Sequence, residues 1–116
     1  MNEPRSVDLL AQLLSQSTVS RNPNLGLIHF IRDYLADWGV ASELFLNAEG
    51  SKASLYATLG PTDRGGVALS GHTDVVPVDG QAWTVDPFAL TVQDDRLYGR
   101  GAADMKGFIA CVLAAV

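Results

Sequence analysis

The stretch VALSGHTDVVPVDG, residues 67–80, decides the fold. It opens with a continuous apolar run, Val67 to Leu69, which is typical of a central strand covered on both faces. His72 and Asp74 follow at once, ahead of a proline turn. In open α/β sheets ligands gather at the carboxyl ends of the strands. We therefore expect this strand to deliver His72 and Asp74 to a functional site.

The flanking segments predict helices and strands in alternation. Ser6 is placed to cap a first helix, a second helix covers about residues 24–38 and stops at Gly39, and a last helix follows the glycine-rich run at 99–104. Alternating apolar residues predict two strands around a turn at 47–51, and a hairpin in 89–99. The apolar residues assigned to the first helix are Val7, Leu9, Leu10, Leu13 and Leu14. The predicted fold is α/β, with a mixed, mostly parallel sheet flanked by helices.

Composition excludes several classes of function. The chain has 116 residues, of which 47% are hydrophobic and 18% charged, as in an ordinary globular domain. With 13 acidic and 8 basic side chains and no basic cluster, nucleic-acid binding is not expected. No apolar stretch reaches the roughly 18 residues that cross a membrane. Cys111 is the only cysteine, which fits a reducing cytoplasmic setting, and we expect it to be a buried, inert thiol.

His72 and Asp74 form a pattern suited to a metal ligand. Side chains at i and i+2 of an extended segment point the same way, so the Asp74 carboxylate can reach one ring nitrogen of His72. That contact fixes the tautomer and aims the other nitrogen at a metal such as Zn²⁺. The alternative is a polar turn with no ligand, and the pattern alone leaves both interpretations open.

Asp104 stands at the start of the last helix. It could simply cap that helix, or its two oxygens could bridge two metal ions. Glycines at 99, 101 and 107 allow a close approach of the backbone. Arg100 and Lys106 could pair with acidic groups, with Lys106 expected at the solvated surface.

A pair of cations about 3.5–4 Å apart would polarise an amide carbonyl and activate water at neutral pH. Such a site also needs a general base. The glutamates are Glu3, Glu43 and Glu49, all in earlier segments, so we expect only half of the site in this chain.

The motifs SGHTDVVPVDG and LYGRGAADMKG together resemble the co-catalytic zinc amidohydrolases, a family of deacylases, aminoacylases and carboxypeptidases. The resemblance implies that His72 is a terminal metal ligand, that Asp74 orients it as a catalytic residue, and that Asp104 bridges two divalent ions, Zn or Co. It also implies a cis peptide bond between Asp104 and Met105. A glutamate pair, further ligands and an inserted dimerisation domain would lie beyond residue 116.

The resemblance extends to function and organisation. Residues 1–116 would be the N-terminal portion of a metallohydrolase catalytic domain, since the last apolar helix runs to the end of the sequence without a stop signal. The stretches STVSRNPNLGLI and NAEGSKASLYATLGP favour family members that remove the acetyl group of N-acetyl-ornithine, in arginine biosynthesis. The expected partners are a small N-acyl amino acid and, for the longer protein, a second copy in a homodimer. Alternatives are a desuccinylase, a dipeptidase, or a non-enzymatic module that self-associates through exposed strand edges and helix faces.

Overall fold

A computed structural model describes residues 4–116 and contains three helices and four short strands in that range. The elements in chain order are α1 Arg5–Leu14, α2 Leu25–Asp37, β1 Ser42–Leu46, β2 Ala53–Ala57, β3 Thr91–Gln93, β4 Arg96–Tyr98 and α3 Gly107–Ala114. The predicted helices and hairpins are thus confirmed, with one change at the first helix: Pro4, rather than Ser6, is the residue before its first turn. Ser6 lies inside that turn. Glu3, one of the three glutamates placed too early in the chain to serve as the general base, lies outside the described residues.

The core forms where the apolar faces of the three helices meet. α1 places an apolar stripe with helical spacing against α3, and α2 covers the inner face of the first hairpin. The buried cluster consists of Leu9, Leu10, Leu13, Leu14, Leu27, Ile28, Ile31, Leu35, Ala53, Ile109, Ala110 and Leu113. His29, also on α2, is half-buried.

Both hairpins follow from their turn residues. β1 and β2 pair antiparallel with Leu44 opposite Leu55, and the side chain of Asn47 closes the turn by accepting from the amides of Ser51 and Lys52 at 2.9 and 3.1 Å. β3 and β4 are joined through Asp94 and Asp95, whose φ angles are 52° and 57°. Two positive φ angles in a two-residue turn match the twist of an antiparallel hairpin.

The predicted mostly parallel sheet is absent from residues 4–116. The sheets there are the two antiparallel hairpins, and the parallel pairing is limited to one bridge between Val19 and Val75. Residues 67–69, expected to form a central strand, pair with no other strand in this range, and Val67 and Leu69 are 89% and 62% exposed. A continuous apolar run indicates that both faces of the segment should be buried. A strand also requires neighbouring strands to hydrogen-bond with, and residues 67–69 have none within residues 4–116.

α3 corrects two expectations about side chains. Cys111 is exposed rather than buried, because Ile109 and Leu113 define the inward face and a residue two positions after Ile109 is turned about 200° around the helix. Lys106, expected at the surface, is fully buried. Its ammonium donates to the carbonyls of Leu13 and Gln16 at 2.9 and 2.6 Å, at the C-terminal end of α1.

A membrane-crossing helix would have to be both longer and more continuously apolar than any helix formed by residues 4–116.

The burial of Lys106 predicts how stability depends on pH. Burial lowers the pKa of its ammonium from 10.5 to about 8. Between pH 8 and 10.5 the unfolded chain holds a proton on Lys106 that the folded chain has released, so the free energy of unfolding rises with pH. The stability that neutral Lys106 contributes is complete above pH 10.5 and is lost as the pH falls through about 8. We expect urea unfolding to show that the stability of the wild type relative to Lys106→Met grows between pH 7 and 10.5, by at most about 3 kcal/mol. A difference that is flat across this range would contradict the assignment.

Candidate metal centre

The three residues selected from the sequence meet at one place on the surface. His72 Nε2 lies 2.9 Å from Asp104 Oδ1, and His72 Nδ1 lies 3.1 Å from Asp74 Oδ1. Nδ1 also faces the backbone carbonyl of Asp74 at 3.0 Å. The imidazole is therefore held between two carboxylates, although Asp74 is two residues away along the chain and Asp104 is 32 residues away. The geometry places the groups together; their role as metal ligands stays a prediction.

A distorted turn at residues 102–106 presents Asp104. Asp104 and Met105 depart from helical backbone angles, with φ/ψ of −128°/94° and −139°/31°, and the peptide bond between them is cis, as the family resemblance implied. The Asp104 carboxylate contacts His72, and no side chain caps the start of α3. Helix capping, the alternative role for Asp104, is thus not the contact that this side chain makes.

Glycines bring the two segments of the site into contact. At Gly101, where φ is +87°, a Cβ atom would lie 2.5 Å from Val75 Cγ1, so a larger residue would push the two segments apart. At Gly71 a Cβ atom would lie 3.2 Å from both Met105 Cε and Ile109 Cγ1. The backbone N–H of His72 donates to the Met105 sulfur at 3.3 Å. The close approach predicted for this glycine-rich turn therefore occurs directly beneath the site.

The surroundings of His72 determine where its protons reside. Nδ1 faces two acceptors, the carbonyl and the carboxylate of Asp74, which favours a proton on this nitrogen. Nε2 faces the Asp104 carboxylate, which repels a lone pair and attracts a proton or a cation. The Asp74 carbonyl and then the Asp104 carboxylate accordingly raise the pKa of His72 above 6.5. A proton on Nε2 would balance the negative charge of the Asp104 carboxylate, as a metal ion at the same position would.

Asp74 has a second partner that the sequence analysis missed. Its other oxygen, Oδ2, accepts a short hydrogen bond from the Ser20 hydroxyl. That hydrogen bond is the first cause of a lowered pKa at Asp74, while burial opposes it. The stretch STVSRNPNLGLI, which contains Ser20, entered the sequence analysis only through the family resemblance. A signal was present, since Thr18 and Ser20 place hydroxyls at i and i+2, on one side of an extended segment.

Arg100 does not form the acidic pair considered from the sequence. It donates a short hydrogen bond to the Gln81 side chain and lies 5.2 Å from the centre of the Trp83 ring. Trp83 Nε1 donates to the same Gln81 oxygen at 2.9 Å. These contacts hold the loop at 81–83 against the start of the distorted turn.

The donor set fits part of a metal site. An imidazole nitrogen and a carboxylate oxygen are ordinary ligands of Zn²⁺ and related ions, and here they converge with side-chain exposures of 49% and 87%, open to solvent. Within residues 4–116 no three His, Cys, Asp or Glu side chains are arranged to hold one ion. Glu43 lies on β1 and Glu49 in the turn after it, and in this range neither bonds to the His72 cluster.

Comparison with known proteins gives a consistent result. Residues 68–116 match the model of Peptidase family M20/M25/M40. Acetylornithine deacetylase of Aliivibrio salmonicida is 39% identical over 122 residues, an alignment that covers all of this chain and 32% of that protein. Acetylornithine deacetylase of Photorhabdus laumondii is 40% identical over 120 residues, covering 97% and 31%.

A solved structure has a similar fold. Human carnosine dipeptidase 1 superposes with a TM-score of 0.82 at 29% sequence identity, over 95% of this chain and 27% of that one. The likeness supports the mixed α/β fold. The chain spans about a third of the length of the curated relatives.

The contacts of His72 predict its titration. His29 is the other histidine, so the two imidazoles can be assigned and followed separately by NMR. We expect the His72 pKa to lie above 6.5 in the metal-free chain, and to fall in Asp104→Asn, because the variant removes the negative charge facing Nε2.

The matched control for this titration is Asp79→Asn. It removes a carboxylate that pairs with Arg21 at 3.0 Å instead of with His72. Identical His72 titrations in wild type and Asp104→Asn would refute the contact.

Proposed function

We propose that the chain supplies the N-terminal part of a metal-dependent amidohydrolase, because residues 68–116 match the model of Peptidase family M20/M25/M40. We propose N-acetyl-ornithine as the substrate, whose acetyl amide is hydrolysed. The support is similarity along the whole chain to proteins named acetylornithine deacetylase. The proposal extends to a role in arginine biosynthesis in the cytoplasm, and to a homodimer of the longer protein.

We propose that the enzyme uses two divalent cations, Zn²⁺ or Co²⁺. His72 Nε2 would bind one of them and Asp104 would bridge both. When bound, the cations supply Lewis-acid polarisation of the amide carbonyl and lower the pKa of water. The single observation that carries this proposal is the convergence of His72 Nε2 and Asp104 Oδ1 at 2.9 Å, with Asp74 on the opposite ring nitrogen.

The residues of this chain prepare the site and do not move the reacting proton. Asp74 keeps the proton of His72 on Nδ1, so that Nε2 presents its lone pair once its own proton leaves. Asp104, 87% exposed, keeps its carboxylate free to contact a second ion. The general base and the remaining ligands are assigned, by resemblance to the family, to the part of the longer protein that this chain does not include.

The substrate assignment is tested on the longer enzyme. We expect kcat/KM for N-acetyl-ornithine to exceed that for N-succinyl-diaminopimelate by at least about 100-fold, since differences in transition-state binding set such preferences. Equal or reversed preference would replace this substrate by a succinylated amino acid, and cleavage of dipeptides alone would identify a dipeptidase.

The chain by itself is expected to bind metal but not to catalyse. Calorimetry with Zn²⁺ should detect weak binding that His72→Ala abolishes, because one of two converging ligands is lost. N-acetyl-ornithine should not be hydrolysed at a measurable rate, because the chain holds no general base beside His72 and Asp104 within residues 4–116.

His29→Gln is the matched control, since it removes the other imidazole, on α2, and should leave metal binding unchanged. Turnover by the chain that disappears in His72→Ala would overturn the expected inactivity. Absence of metal binding together with dimerisation in sedimentation would favour the second candidate, a module that self-associates. The exposed apolar residues Val67 and Leu69 are the observation that favours it.

A further inference from the structure

The segment immediately after α1 is built onto the loop that carries His72 and Asp74. Val19 and Val75 form a parallel bridge, in which Ser20 N donates to Val75 O and Val75 N donates to Thr18 O, both at 3.0 Å. Thr18, Val19 and Val75 are each at most 4% exposed. The pairing is therefore a fixed part of the interior and not a surface contact.

Side chains extend this pairing toward the site. The Thr18 hydroxyl donates to the Thr73 carbonyl at 2.6 Å, and Asn24 Nδ2 lies 3.3 Å from Thr73 Oγ1. Ser20 lies two residues beyond Thr18, so its hydroxyl reaches the next polar group on the same side, which is Asp74 Oδ2. The same hydroxyl lies 3.3 Å from Val75 O, which keeps it close to the loop.

We propose that Ser20 is a positioning residue of the metal centre. Its hydroxyl donates to Asp74 Oδ2 and thereby fixes the rotation of the carboxylate. Oδ1 is then placed to accept a hydrogen bond from His72 Nδ1, which lies 3.1 Å away. The chain of contacts then runs from Ser20 through Asp74 and His72 to Asp104. Ser20 touches neither the metal nor the substrate in this assignment. The inference rests on the proposed metal site and names a residue that maintains its geometry.

The position of Ser20 explains why an aspartate can orient the imidazole at an exposed site. The side chains of His72 and Asp74 are 49% and 52% exposed, so water competes for every hydrogen bond between them. Ser20 is fixed by its backbone hydrogen bond and holds one oxygen of the Asp74 carboxylate. The carboxylate therefore has fewer rotamers in which it turns away from His72 and hydrogen-bonds to water. Pre-organisation of this kind strengthens binding without adding a contact to the ligand.

The test compares four single variants of the chain, Ser20→Ala, Ser20→Thr, Ser17→Ala and Asp74→Asn, and the double variant that combines Ser20→Ala with Asp74→Asn. Ser20→Ala removes the hydroxyl and Ser20→Thr keeps it. Ser17→Ala makes the same chemical change at an exposed serine of the same segment. The first measurement needs no metal: long-range ¹⁵N–¹H NMR above the His72 titration gives the fraction of its Nδ1–H tautomer. We expect that fraction to fall in Ser20→Ala and to stay at the wild-type value in Ser20→Thr and Ser17→Ala.

The second measurement is Zn²⁺ affinity by calorimetry. Partners that orient a ligand typically contribute 10–100-fold to metal affinity, so we expect a loss of roughly tenfold in Ser20→Ala and none in Ser17→Ala. In the Asp74→Asn background the loss caused by Ser20→Ala should vanish, because the serine acts through that carboxylate. Circular dichroism and the unfolding midpoint verify that each variant is folded.

The outcomes separate this inference from the function on which it rests. An unchanged tautomer in folded Ser20→Ala overturns the inference, and so does an equal loss of affinity in the presence and absence of the Asp74 carboxylate. A tautomer shift in a chain that binds no Zn²⁺ supports the positioning by Ser20 and rejects the proposed metal site. Rescue by Ser20→Thr assigns the effect to the hydroxyl.

Discussion

The ammonium of Lys106, buried at the C-terminal end of α1, is the contact on which the rest of the structure depends. The last carbonyls of a helix lack partners within the helix and carry partial negative charge. Lys106 supplies a full positive charge to two carbonyls at this point, those of Leu13 and Gln16. Burial disfavours the ammonium, whereas two charge-assisted hydrogen bonds retain it. Burial lowers the pKa of this group to about 8, which still leaves it mostly protonated at neutral pH.

That contact fixes the site as well as the core. Lys106 follows Asp104 and Met105 directly, so anchoring its side chain to α1 fixes where the Asp104 carboxylate is presented. The other half of the site is anchored beside the same helix end, because residues 18–20 leave α1 and pair with residues 73–75. Gly99 also lies on this end, where a Cβ atom would meet Leu14 Cδ1 at 2.7 Å. The C-terminal end of α1 thus anchors both segments of the site, residues 73–75 and 104–106, which are distant in sequence.

The sequence predicted what depends on neighbours in the chain. α1 and α2 follow from apolar spacing, and both hairpins follow from Asn47 and the Asp94–Asp95 turn, so local chemistry was enough. Residues 67–69 were misassigned because strand formation depends on partners from elsewhere. Lys106 and Cys111 were each assigned from residue type: a lysine is usually exposed and a cysteine usually buried. The helix terminus that receives the ammonium, and the rotation that turns the thiol outward, are properties of the packed structure.

The site was predicted from two motifs. Hydrophobic periodicity could not show that the two motifs lie close together in space, and their joint resemblance to one family provided that prediction. The structure adds the electrostatic reason why the meeting is useful. Three carboxylate or carbonyl acceptors surround one imidazole, so the cluster is short of positive charge until Nε2 binds a proton or an ion. A proton neutralises one acceptor at Nε2, whereas a divalent ion there would bring twice the charge and retain room for further ligands at an exposed edge. At the proposed metal site an ion would therefore be favoured whenever the imidazole is neutral, with Asp74 held by Ser20 and the turn that carries Asp104 anchored by Lys106.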